Sequence, residues 1–111
     1  MATYSNLFVD QGSDFSFTLN LESTIGSIDL NDYTARGKIK RNYASLNFVD
    51  FVISIGVSEN VLTVELSAAQ TQVMKPTRYV YDIELVSINS PISIIRVLEG
   101  QLEVTPSVTS A

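Results

Sequence analysis

Acidic side chains are the first residues of this sequence that could do chemistry, because two suitably placed carboxylates can hydrolyse a glycosidic bond. The chain has 12 Asp and Glu residues, among them the pairs Asp82 with Glu84 and Glu99 with Glu103. Within each pair the two residues have the same parity in a segment that alternates like a strand, so both point to the same outer face. In the absence of a cleft around them, such acids are typical of a solvated sheet face.

Nucleophilic and metal chemistry have little support. The chain has no His and no Cys, which excludes an imidazole base, a disulfide and a thiolate metal site. Asp29, Asn31 and Asp32 cluster near a turn, but calcium takes about six to eight oxygen ligands and Asp and Asn are common turn residues. Without histidine, only Lys75 or an acid could serve as the base that activates a serine. Lys75 precedes Pro76 at a predicted helix end, where a basic side chain is explained by the helix dipole. We therefore expect no enzyme activity, no catalytic residue, no metal and no cofactor.

One stretch of the chain is basic. Arg36, Lys38 and Lys40 project from alternate positions of a predicted strand, and Arg41 follows them. These cations could follow a phosphate backbone or meet an acidic protein surface. Alternatively, they form a plain exposed strand face that discourages edge pairing. The net charge of -5 favours the plain exposed face, and if the stripe binds a partner, an acidic protein is expected rather than nucleic acid.

Some aromatic residues are left unexplained by the core. The aromatic residues with inward parity are predicted to fill the core; they are Phe15, Phe17, Phe51, Tyr79 and Tyr81. Four others are expected either to pack in the ordinary way or to form a contact surface. Together with the basic residues they define a possible interaction surface of Tyr4, Phe8, Arg36, Lys38, Lys40, Arg41, Tyr43 and Phe48.

The apolar pattern indicates the elements that position these side chains. Apolar and polar residues alternate over several short segments, as they do in half-buried strands. The predicted strands cover residues 6–10, 15–22, 33–40, 47–57, 62–66, 79–86 and 92–105, with a brief extended piece at 28–30. This spacing predicts an all-β, antiparallel immunoglobulin-like β-sandwich of about seven strands with one short helical crossover, and a single domain from 1 to 111.

Two of the predicted strands have irregular patterns. In segment 47–57, Phe48 and Val52 lie opposite the main apolar face, which predicts a strand covered on both sides. In segment 92–105, the apolar parity slips near Val97 and Leu98. Such a slip indicates a β-bulge or a change of partner sheet.

The segment 67–86 is the best-defined part of the sequence. Ser67 can cap a short helix that Lys75 and Pro76 end, and an alternating strand follows. In immunoglobulin-like sandwiches, a tyrosine at such a corner turns its hydroxyl back onto the backbone of the crossover. Tyr79 is the residue predicted to do so.

The order of these segments resembles that of small β-sandwich virion proteins of tailed bacteriophages, and of the N-terminal domain of baseplate upper proteins. The similarity extends from Val9 to Thr109 and is carried by the words VDQGSDFSFTLNL, IDLNDYTARGKIKRNYAS, LTVELSAAQTQVMKPTRYVYDIELV and RVLEGQLEVTPSVT. The sequence departs from that pattern at Asp32, where a turn glycine is common. It also departs at 74–77, where Leu-Pro-x-Gly is common. Neither departure threatens the fold.

The resemblance implies a non-enzymatic structural component of a virion, present in symmetric copies. The expected place is the tail, baseplate or fibre attachment, and the alternative is decoration of the capsid surface. A function of another class is a monomeric carbohydrate- or protein-binding module. The expected partners are other virion proteins and further copies of the chain, with no nucleic acid, no membrane and no small-molecule substrate. Segments 1–7 and 105–111 would be contact arms.

The expected location is the virion, assembled in the host cytoplasm. The first ten residues, MATYSNLFVD, lack the basic segment and apolar block of a secretory signal. The longest apolar runs, such as 51–53, are far shorter than a membrane span.

Overall fold

Two β-sheets packed face to face make up this protein. The computed structural model describes residues 3–21, 30–56, 60–88 and 93–107. In this part of the chain the strands are β1 Thr3–Tyr4, β2 Leu7–Asp10, β3 Phe15–Asn20, β4 Tyr33–Lys40, β5 Val49–Asp50, β6 Val52–Gly56, β7 Val61–Leu66, β8 Arg78–Ser87 and β9 Ile94–Thr105. The helix α1 spans Ala68–Gln72, and a 3-10 turn spans Leu30–Asp32. The fold is an all-β sandwich, as the alternating pattern predicts.

The two sheets differ in width. The large sheet has the order β1-β9-β8-β4-β5, with β2 also paired to β9, and the small sheet has the order β3-β7-β6. Within the large sheet, β1 and β2 run parallel to β9. The prediction of an antiparallel sandwich is wrong for these two pairs. Most of the chain lies between β2 and β9, and a long connection allows two strands to pair in parallel. The predicted extended piece at 28–30 lies outside the described residues except for Leu30.

The core lies between the sheets and consists of the residues that alternation predicts to point inward. In β8, Tyr81, Ile83 and Leu85 are buried, and in β7, Leu62, Val64 and Leu66 are buried. The inward residues of β3 are only half-buried because β3 is the edge strand of the small sheet; they include Phe15 and Phe17, whose rings meet edge to face at 5.8 Å. Burial of this apolar surface is the main force that holds the two sheets together.

The segment 47–57 is not one strand covered on both sides, so that prediction is wrong. It divides at Phe51 into β5, which pairs with β4, and β6, which pairs with β7 in the other sheet. The ring of Phe51 is buried between the sheets against Tyr81, with ring centroids 5.9 Å apart. Phe48 and Val52 are 45% and 55% exposed. A single inward aromatic side chain thus marks the point where the chain changes sheet.

The bulge predicted in the last strand is confirmed. Ile83 pairs with Leu98 and Glu84 pairs with Arg96, which leaves Val97 as the extra residue of β9. Both Val97 and Leu98 are buried although they are neighbours in the chain. A bulge permits this arrangement because it returns the strand to the core face with shifted parity.

The crossover between the sheets forms as predicted. The Ser67 side chain accepts a hydrogen bond from the backbone N–H of Gln70, whose side chain accepts one from the backbone N–H of Ser67, so α1 begins with a capping box. The hydroxyl of Tyr79 donates to the carbonyl oxygen of Lys75 at 3.0 Å. Tyr79 is therefore the corner tyrosine that the sequence predicts.

The N-terminal segment is bound to the large sheet within the chain. Between β1 and β2, the backbone N–H of Ser5 donates to the carbonyl of Glu99 at 2.8 Å, and the hydroxyl of Tyr81 donates to the carbonyl of Ser5 at 2.6 Å. Burial raises the pKa of Tyr81 to about 12. Of the predicted contact arms, residues 3–7 belong to this strand region, and residues 1–2 and 108–111 lie outside the described part of the chain.

Candidate interaction surface

All eight residues of the predicted interaction surface lie on the outer side of the large sheet. Arg36, Lys38 and Lys40 alternate along β4, while Arg41, Tyr43 and Phe48 belong to the loop 41–48, which leads from β4 to β5. Tyr4 and Phe8 lie on β1 and β2 at the opposite edge, where they pair with Glu99 and Glu103 of β9. Paired residues share a face of the sheet, so the two groups belong to the same surface.

The cations of β4 do not form a free basic track, because β8 places acids beside them. Arg36 and Glu84 form an ion pair, with 3.0 Å between Nε and Oε1, and Lys38 lies opposite Asp82 in the strand register. Exposed pairs of this kind contribute only about 0–1 kcal/mol each. The alternative that the cations protect a sheet edge is wrong for Lys38, because β4 pairs with β8 on one side and β5 on the other.

Asp82 lies at the centre of the face among other charges. Arg96 of β9 is 3.5 Å from the carboxylate of Asp82 and 3.7 Å from that of Glu99. Burial raises the pKa of Asp82, repulsion by Glu84 and Glu99 adds to this effect, and Arg96 and Lys40 oppose it. Asp82 and Glu84 therefore lie on one outer face, as their parity predicts, within a network of both signs.

The loop 41–48 is fastened to this face at both ends. The guanidinium of Arg41 donates to the carbonyl of Arg78 at 2.9 Å. At the other end the ammonium of Lys38 lies 3.6 Å from the ring centroid of Phe48, a cation–π contact. Between them, the backbone N–H of Ala44 donates to the side chain of Asn42 and tightens the turn. These contacts hold the exposed side chains of the loop above the sheet.

A half-open depression of about 250 Å³ lies beside the loop. Tyr43 stands at its border, and charged side chains of β4, β8 and β9 surround it; they are Lys38, Lys40, Asp82, Glu84, Arg96 and Glu99. An aromatic ring beside hydrogen-bonding groups of both signs can hold a small polar molecule or a side chain of a protein partner.

Exposed apolar side chains form two rims, one at each edge of the face. The β2 rim consists of Tyr4 and Phe8, which are 61% and 67% exposed. The loop rim consists of Tyr43, Leu46 and Phe48, which are 80%, 94% and 45% exposed. The sequence prediction of the interaction surface does not include Leu46. It could have been identified as a large apolar residue in a loop segment, 41–47, that has no alternating strand pattern.

The outer face of the small sheet has a different character. Its outward residues in the described strands include Ser16, Thr18, Ser54 and Thr63 together with the exposed Val52 and Glu65, and none of its outward residues is aromatic or a cation. By contrast, six of the seven cations of the chain lie on the outer side of the large sheet or its loop; they are Arg36, Lys38, Lys40, Arg41, Arg78 and Arg96. Charge and exposed aromatic surface are thus concentrated on one side of the sandwich.

Within the residues that the structure describes, no helix is long and apolar enough to cross a membrane. The same described residues contain no group of three or more acidic side chains placed to hold a metal ion. Of the three turn residues considered for calcium, Asn31 and Asp32 lie in the 3-10 turn, and Asp29 lies outside the described ranges.

No family model matches the sequence, and no curated protein is similar to it. Function is therefore inferred from the residues themselves and from the motif resemblance.

Proposed function

We propose that this chain is a non-enzymatic structural component of a tailed-bacteriophage virion. Its first proposed place is the tail, baseplate or fibre attachment, and its second is the capsid surface. The outer side of the large sheet, with its two apolar rims, is the surface by which it contacts other virion proteins. Proteins of this kind act by fitting into an assembly, so a broad contact face is the feature they require.

The observation that carries this proposal is the asymmetry of the two outer faces. The two rims on one side of the sandwich expose five large apolar side chains, four of them aromatic, beside six cations, whereas the outward residues of the described strands of the small sheet include one exposed large apolar side chain, Val52, and no aromatic residue or cation. Exposed aromatic residues next to charged groups are typical of protein interfaces, where aromatic and Arg side chains contribute most of the binding energy.

The residues behind the resemblance also support the proposal, because they make the contacts on which this fold depends. In the motif that begins with Asp10, the side chain of Gln11 donates to the carbonyl of Met74 at 2.8 Å, and the N–H of Gly12 donates to the hydroxyl of Thr71 at 3.0 Å. In the closing motif, Gly100 lies directly beside the backbone of Ser5. These motif residues therefore make contacts between segments that are distant in the sequence, and they are not scattered over the surface.

Quantitative mass spectrometry of purified phage particles tests this proposal. In particles of the phage that encodes the chain, we expect a fixed number of copies that matches a symmetry axis of the virion. Replacing Tyr43 and Phe48 with Ser should reduce incorporation about tenfold or more, since such interface residues can contribute more than 1.4 kcal/mol. The matched control replaces Ser16 and Thr18 with Ala on the other face and should leave incorporation unchanged. Absence of the chain from particles would contradict the proposal.

A monomeric carbohydrate- or protein-binding module is the second candidate, and the depression beside Tyr43 favours it. A sugar ring could stack on the tyrosine while the charged groups bind its hydroxyls. In that case the chain would be missing from particles. The purified protein would bind glycans, and Tyr43→Ala would abolish the binding.

A further inference from the structure

The charged face of the large sheet is divided into two halves of opposite sign. The half formed by β2 and β9 has three acids and one cation in the described strands: Asp10, Glu99, Glu103 and Arg96. The half formed by β4, β5 and the loop has four cations and one acid: Arg36, Lys38, Lys40, Arg41 and Asp50. β8 lies between them. The two edges of one molecule are therefore complementary in charge.

Each charged half ends in an apolar rim. The β2 rim borders the acidic half and the loop rim borders the basic half. The side chains of both rims are 45–94% exposed. The two rims therefore do not cover one another within a single molecule, but the β2 rim of one copy can cover the loop rim of another.

We propose that the occupant of this surface is a second copy of the chain, bound head to tail. The β2 rim of one copy packs against the loop rim of the next, and the acidic half of the first faces the basic half of the second. The inference rests on the proposed function and deepens it by naming the partner of the same face. The contact is heterologous, because joining like edges would bring acid to acid and cation to cation.

A heterologous contact leaves each copy with one free edge of each kind, so copies add until a ring closes or a filament grows. In each ion pair among the described residues the arginine side chain is at least half exposed, and such pairs are weak enough to exchange for pairs across the contact. The association should accordingly weaken as salt is added.

Site-directed disulfide trapping tests the head-to-tail arrangement, and it is clean because the natural chain contains no cysteine. Asn6 lies between the two residues of the β2 rim, and Asn47 lies within the loop rim; both are exposed. Asn6→Cys and Asn47→Cys therefore keep all the apolar rim residues. When the two purified variants are mixed and oxidised, one of them isotopically labelled, we expect the mixed dimer to exceed either homodimer about tenfold, because the contact raises the local thiol concentration.

The control pairs Asn6→Cys with Val73→Cys, a thiol at an exposed site just after α1 and outside both rims. This control should give only the dimers of random collision. A predominance of homodimers, or a mixed dimer no more abundant than in the control, would overturn the head-to-tail contact. Either result would leave the proposed function to be decided by the particle composition, so the two failures can be told apart.

Discussion

Gly100→Ala is expected to lower the free energy of unfolding by about 2–3 kcal/mol, as overpacking of a filled site commonly does. A Cβ at position 100 would overlap the carbonyl oxygen of Ser5 and lie 2.8 Å from its carbonyl carbon. Ser5 cannot move away freely, because its N–H is bonded to Glu99 and its carbonyl accepts the hydroxyl of Tyr81. The added methyl group therefore either displaces Ser5 from its hydrogen bonds to Glu99 and Tyr81 or distorts β9.

Chemical denaturation measures the change in stability, and amide exchange at Ser5 reports whether the N-terminal strands detach. Gln101→Ala is the matched control, because it alters the neighbouring residue of β9 without adding an atom beside Ser5. We expect the control to stay within about 0.5 kcal/mol of the natural protein. Equal stability of Gly100→Ala and the control would show that Ser5 does not lie against Gly100.

Thr71→Val is expected to cost about 2 kcal/mol, because it removes two hydrogen bonds that a buried hydroxyl makes to the turn after β2. Apart from the hydroxyl of Tyr81, Thr71 carries the only polar side chain among the buried residues that the structure describes. Its hydroxyl donates to the carbonyl of Ser13 at 2.8 Å and accepts the N–H of Gly12 at 3.0 Å. Valine has nearly the same shape but satisfies neither group, so the turn after β2 loses two of its hydrogen bonds to the crossover and keeps that from Gln11 to Met74.

Thr71→Ser distinguishes the contribution of the hydroxyl to stability from that of the methyl group, since serine keeps the hydroxyl and loses the methyl group. It should cost about 1 kcal/mol, the value for one buried methyl group. The comparison is made by denaturation of the three proteins under the same conditions. If Thr71→Val were as stable as Thr71→Ser, the hydrogen bonds of Thr71 would not be what holds the turn.

Local features of this fold can be predicted from the sequence, because their causes lie within a few residues. The cap at Ser67, the corner tyrosine Tyr79 and the bulge near Val97 all follow from local patterns. Contacts between distant segments cannot be predicted in this way. Alternation indicates that Tyr81 points inward, but it does not show that its hydroxyl meets Ser5.

The candidate surface shows the same limit. Tyr4, Phe8, Tyr43 and Phe48 could be identified because no inward parity accounts for them. The sequence does not show that the cations of β4 lie beside acids of β8, since that depends on which strands are neighbours and in what register. The division of the face into acidic and basic halves is likewise a property of strand order.

Differential acetylation of lysines tests most directly whether the outer side of the large sheet is the contact surface in the virion. The chain has three lysines: Lys38 and Lys40 lie on this face, whereas Lys75 lies beyond the crossover helix and serves as an internal control. Mass spectrometry compares their reactivity in the free protein and in intact particles. We expect Lys38 and Lys40 to be protected in particles while Lys75 remains as reactive as before. Reactivity at Lys38 and Lys40 equal to that of the free protein would contradict the proposed role of this face.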